Sequence, residues 1–97
     1  MITSKQRAYL RGLANTAETI FQIGKSGITD NLVAQVEDAL EAREIIKLKV
    51  LETCEFSARE AAGILAERCG AEPVQCIGSR LVLYRESKKN KQIKLPR

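Results

Sequence analysis

The sequence predicts a single α/β sandwich over residues 1–97, in the order α-β-α-β-α-β-β, with a mixed four-stranded sheet. Three observations predict it. Apolar residues switch between helical and strand periodicity along the chain. Helix-opening signals stand at "TSKQ", "SGITD" and "SARE". Two apolar runs near the end, "PVQCIG" and "LVLYRE", are separated only by the turn in "GSR".

The first helix opens at Thr3, with Gln6 three residues on in the capping-box position. Leu10, Leu13, Ala14 and Ala17 recur at helical spacing, and the helix is expected to end near Ala14, where "ANTAE" carries turn chemistry. Lys5, Arg7 and Arg11 fall mostly off that stripe and give the helix a basic side. The β-branched and aromatic "ETIFQI" reads as a strand, with Phe21 and Ile23 on one face. It runs into Gly24. Thr29 then caps a second helix with an apolar face of Leu32, Val33, Val36, Ala39 and Leu40. Glu37, Asp38, Glu41 and Glu44 are expected to make its outer side acidic.

"IIKLKVL" is a strand that sends Ile46, Leu48 and Val50 one way and Lys47 and Lys49 the other. Ser57 and Glu60 form a second capping box, opening a helix that stops at Gly70. The closing strands form an antiparallel hairpin, in which Tyr84 is expected to pack against the third helix rather than stack on a base. Strand-helix-strand crossovers are right-handed, which leaves few ways to connect these elements.

Composition narrows the function. Histidine is absent, so the usual general base near neutral pH is missing and Cys–His nucleophile schemes are excluded. Cys54, Cys69 and Cys76 show no C-x-x-C spacing and read as free thiols, with no metal site implied. No catalytic set and no cofactor are expected. No apolar run approaches the roughly 20 residues that span a bilayer, the N-terminus lacks a signal-peptide pattern, and a cytoplasmic location follows as the default. Net charge is +4, unevenly spread: residues 80–97 hold seven Lys/Arg and one Glu. A near-neutral body with a basic end, 86–97 above all, points to a polyanionic partner.

"IGKSGIT", residues 23–29, carries the sharpest question. A nucleotide-binding loop of the form G-x-x-x-x-G-K-[ST] needs a glycine five residues before Gly24, and Thr19 stands there. No bound nucleotide is expected. A backbone clamp needs less: two glycines let the main chain approach a ligand, Lys25 supplies a mobile cation, and the following helix N-terminus favours phosphate. A G-x-x-G clamp of this kind grips single-stranded backbones in KH domains. Aromatic residues make up only 4% of the chain, too few for a base-stacking platform, so backbone and shape recognition is expected.

"GLANTAETIFQIGKSGIT", "ALEAREIIKLKVL", "IGSRLVLYR" and the closing "IKLPR", in this order over essentially the whole chain, resemble the CRM domain. More narrowly they resemble its stand-alone bacterial YhbY family. The resemblance implies a fold similar to the C-terminal domain of translation initiation factor three. It also implies RNA binding tied to precursors of the large ribosomal subunit, with Gly24, Lys25, Ser26 and Gly27 as the contact. Beside that loop, Thr29, Lys5, Arg7, Arg11, Lys47, Lys49, Arg80, Arg85, Lys88 and Lys89 are the candidate RNA-binding residues, and a monomer is expected. The other reading is a protein-interaction adaptor that uses the acidic face of the second helix and is tethered to nucleic acid by its basic end.

Overall fold

The computed structural model describes residues 2–96. Met1 and Arg97, the last residue of the "IKLPR" motif, lie outside the described residues. Helices α1 (Ser4–Ala14), α2 (Asp30–Arg43) and α3 (Ala58–Cys69) alternate with strands β1 (Thr19–Ile23), β2 (Ile45–Val50), β3 (Glu72–Ile77) and β4 (Arg80–Tyr84). The order is α-β-α-β-α-β-β, as the periodicity predicts.

Local chemistry explains the helix starts. Thr3 and Ser57 each accept the N–H of the residue three on, and Gln6 and Glu60 return the bond to the cap backbone. Each such cap contributes about 1 kcal/mol. Thr29 opens α2 by accepting the Leu32 N–H at 3.1 Å. Gly70 closes α3 in the left-handed conformation, where a side chain would be strained.

The sheet order is β1-β2-β4-β3, with β1 and β2 parallel and the other two pairs antiparallel. The return strand β4 therefore lies between β2 and β3. Ile46, Leu48 and Val50 join Leu81 and Leu83 on one face, beneath Val33, Val36 and Leu40 of α2 and Ala61, Ala62 and Leu65 of α3. Leu48 and Leu65 are fully buried, and each side chain so placed is worth about 1.5–3 kcal/mol.

The opposite face is covered by α1, with residues of the C-terminal segment beside it. Leu10 and Ala14 pack there on Val74, Val82 and Tyr84, with Ile45, Ile93 and Leu95 around them. Tyr84 thus packs against α1, which corrects the expectation that it meets the third helix. The reason is strand parity: Leu81 and Leu83 face α2 and α3, so Val82 and Tyr84 must face the other way.

The basic C-terminal segment returns along the molecule. Ser87 is buried, Ile93 and Leu95 pack beside α1, and the Gln6 side-chain amide donates to the Pro96 carbonyl at 3.0 Å. What holds it is acidic. Glu41 accepts the Ser87 hydroxyl at 2.6 Å and the backbone N–H groups of Lys88 and Lys89 at 3.1 and 3.0 Å. Glu44 accepts the N–H groups of Ser87, Gln92 and Ile93 at 2.8, 2.6 and 2.6 Å. The outer acidic side expected for α2 is therefore reduced to Glu37 and Asp38, because Glu41 and Glu44 are spent on the chain's own backbone.

Candidate nucleic-acid interface

The glycine loop is a single tight turn at the carboxyl end of β1. The Gly27 N–H donates to the Gly24 carbonyl at 3.0 Å, which leaves Lys25 and Ser26 exposed at the corner. Gly27 has φ +68°, so its glycine is required by the backbone. Gly24 is different. A Cβ there would point inward, 3.5 Å from Leu51 and 3.6 Å from Thr53. The missing Cβ atoms thus open space toward the β2–α3 connection and not toward an outside ligand, a change from the close-approach argument.

Lys25, Ser26, Gly27 and Thr29 line a hollow of about 320 Å³, shared with Gln22 and the first turns of α2. The helix N-terminus at Thr29 contributes partial positive charge. Asp30 stands in that first turn, and Arg68 of α3 pairs with it at 2.6 Å, offsetting a charge that would repel phosphate. Among the described residues, Lys25 carries no hydrogen bond or ion pair.

Register joins the loop to the sheet. Gln22 pairs across to Lys49, Lys49 to Arg80, and Arg80 to Ile77. The neighbouring row runs Thr19, Lys47, Val82, Gln75. Both rows lie on the α1 face of the sheet; α1 packs on Val82, while Lys47 and Lys49 stay half-exposed and Arg80 exposed. Lys49 and Arg80 are like charges placed directly opposite, an arrangement that costs stability in a sheet. The side chains of Lys47, Lys49 and Arg80 have no hydrogen-bond or ion-pair partner among the described residues.

The remaining candidates divide. Lys5 and Arg11 are exposed on α1. Arg7 is turned to the protein, where its guanidinium donates to the Pro73 carbonyl. Arg85 is committed further: it donates to the carbonyls of Cys69 and Glu37 at 3.1 and 3.2 Å and lies 3.7 Å from Glu41. Its guanidinium clamps α2, α3 and β4 together, so the expected phosphate contact finds that group already occupied. Lys88 and Lys89 are held through their backbones, with side chains exposed. Gln22, Gln75, Ile77 and Asn15 were missed by sequence reasoning, because strand register, and for Asn15 the packing of α1 on the sheet, brings them beside the lysines.

Burial pushes the Cys69 and Cys76 thiols up from their ordinary values; they lie 3.9 Å from the Val33 carbonyl and 4.0 Å from that of Ala58. Among the described residues no group of side chains is placed to hold a metal ion, and no helix is long and apolar enough to cross a membrane.

Comparison with known proteins agrees with this architecture. The chain is 48% identical over 96 residues to "Probable RNA-binding protein YqeI" of Bacillus subtilis, covering 99% of this chain and all of that one. It is 35% identical to an RNA-binding protein of Haemophilus influenzae, over 99% of this chain and 96% of the other. A Staphylococcus aureus protein solved in solution, itself described as a candidate RNA binding protein, superposes with a TM-score of 0.82 at 51% identity, covering 99% of this chain and all of that one. A family model for the CRS1/YhbY (CRM) domain matches residues 2–85. With that match over most of its length, the chain belongs to the CRS1/YhbY (CRM) domain family.

Proposed function

We propose that this protein is a non-catalytic RNA-binding protein that acts on ribosomal RNA in precursors of the large ribosomal subunit, in the cytoplasm and as a monomer. It grips the RNA backbone with the Gly24–Gly27 turn and the basic sheet rows beside it. One observation carries the reading: register links the loop hollow through Gln22 to Lys49 and Arg80, and neither cation has a partner of its own among the described residues. Cations held side by side against their mutual repulsion are suited to a polyanion. The RNA-binding names of the relatives support the partner class.

The adaptor reading has less support. Glu41 and Glu44 accept hydrogen bonds from the C-terminal segment, so two of the four carboxylates that reading would use already have partners within the chain.

Binding to structured ribosomal RNA, titrated against salt, tests the proposal. Each phosphate neutralised adds about 0.7–0.9 to the slope of log K against log salt. Tagged protein in a lysate should sediment with large-subunit precursors and leave them at high salt. A flat salt response would sink the RNA grip. Sedimentation with small subunits or equally with polysomes would sink the assembly role.

A further inference from the structure

Beside the basic rows lies a cleft of about 180 Å³, lined by Asn15, Lys47, Gln75, Ile77, Arg80 and Val82. It is smaller than the roughly 300–1,000 Å³ of a drug-sized ligand site, and its chemistry is mixed in an ordered way. Val82 is a buried apolar floor, whereas Ile77 is 66% exposed, a large apolar side chain left in water beside the cations. Asn15, at the end of α1, and Gln75, on β3, bring side-chain amides that both donate and accept. Lys47 and Arg80 bring charge. The amides of Asn15 and Gln75 have no hydrogen-bond partner among the described residues.

We infer that this cleft receives one unstacked nucleobase of a single-stranded RNA segment whose backbone runs from the Gly24–Gly27 turn along Lys49. This rests on the RNA-binding reading above and adds to it the class of RNA. The pieces match what a splayed base presents: an apolar face for Ile77 and Val82, a π-face on which a guanidinium such as that of Arg80 can stack, and polar edges for paired amides. A duplex presents none of these faces from within its stack. The exposed Ile77 gains contact only when something planar and apolar covers it, and its register partner Arg80 keeps that occupant next to a phosphate site. The cleft therefore favours single strands over duplex, and it does so separately from the phosphate contacts.

The test uses the full chain and three probes of equal length: a 12-nucleotide single-stranded RNA, the same ribose-phosphate chain without bases, and the RNA annealed to its complement. The single strand should bind roughly tenfold more tightly than the abasic chain, the lower part of the range for one held base. Ile77→Ser, on an exposed position, should abolish that preference while leaving the salt slope unchanged. Lys25→Ala should weaken the single strand and the abasic chain alike. Equal binding of single-stranded and abasic chains, or an Ile77→Ser protein that keeps the preference, would overturn the base cleft and leave the phosphate grip standing. Tighter binding of the duplex than of the single strand would overturn it as well. Failure of the unchanged protein to bind any of the three would overturn both readings.

Discussion

One carboxylate oxygen of Glu44 accepts the backbone N–H groups of Gln92 and Ile93, both at 2.6 Å, while its other oxygen takes the Ser87 N–H at 2.8 Å. Glu44 is fully buried and is the C-cap of α2, with φ +66°. A glycine would suit that backbone better. The clamp on residues 43–49 positions along the chain is the evident gain that offsets the strain.

Glu44→Gln should therefore cost about 1–3 kcal/mol of stability, since an amide NH₂ would face N–H donors and leave them unsatisfied in a buried site. Urea unfolding monitored by circular dichroism measures it. A variant as stable as the parent would mean that the clamp contributes nothing.

The C-terminal segment should loosen in acid. The Ser87 hydroxyl, then the Lys88 and Lys89 backbone N–H groups, hold the Glu41 carboxyl down from 4.5 to about 2. Burial alone would raise Glu44, but the N–H bonds from Ser87, Ile93 and Gln92 outweigh it and its value is lowered too. A carboxyl with a depressed folded-state value stabilises the fold above its unfolded value, and that contribution vanishes as pH falls through the folded value. For Glu41 the window runs from 4.5 down to about 2. Amide protection at Lys88 and Lys89, whose N–H groups Glu41 accepts, should fade across it, and should already be weak at pH 7 in Glu41→Gln. Protection that persists unchanged to pH 2 would contradict the assignment.

The two loop glycines should behave differently. Gly27→Ala places a side chain at φ +68° and should cost about 1–2 kcal/mol from the left-handed backbone alone. Gly24→Ala meets Leu51 and Thr53 only at ordinary contact distances and should shift stability by less than about 0.5 kcal/mol. Gly27→Asp adds a like charge to phosphate and should release RNA while the chain stays folded. Thermal melts beside RNA titrations separate these effects. Equal costs at the two positions would show that the turn conformation is misassigned.

Lys49 and Arg80 oppose each other across β2 and β4. Lys49→Ser should leave stability unchanged or raise it by about 0.2–1 kcal/mol, because a cross-strand repulsion is removed. The same change should lower the salt slope of RNA binding by about one. Arg85→Ala should do the reverse, since its guanidinium serves the Cys69 and Glu37 carbonyls: a loss of about 1–3 kcal/mol in stability with the slope retained. If Arg85→Ala lowers the slope without destabilising, its guanidinium leaves the protein to meet RNA.

Much of this was legible in the sequence because it is local. The capping boxes at Thr3 and Ser57, the left-handed Gly70 and the alternation through Ile46, Leu48 and Val50 depend on residues within a few positions of each other. Spacing reports those interactions directly. The candidate loop was legible for the same reason, since its turn closes within four residues. Arg85, Glu41 and Glu44 were not, because a charge in a sequence reads as a solvated one until a distant partner is known.

The sequence by itself determined the seven elements and their order, since backbone sterics and side-chain periodicity act over one or two turns. Only the tertiary structure decided that β4 enters between β2 and β3, that α1 covers the face opposite α2 and α3, and that residues 87–93 return to Glu41 and Glu44. Those outcomes rest on pairings across tens of residues, where periodicity names the face that must be buried but not the neighbour that buries it. The row from Gln22 through Lys49 and Arg80 to Ile77 exists only once those neighbours are chosen, which is why the loop could be found in the sequence and the surface beside it could not.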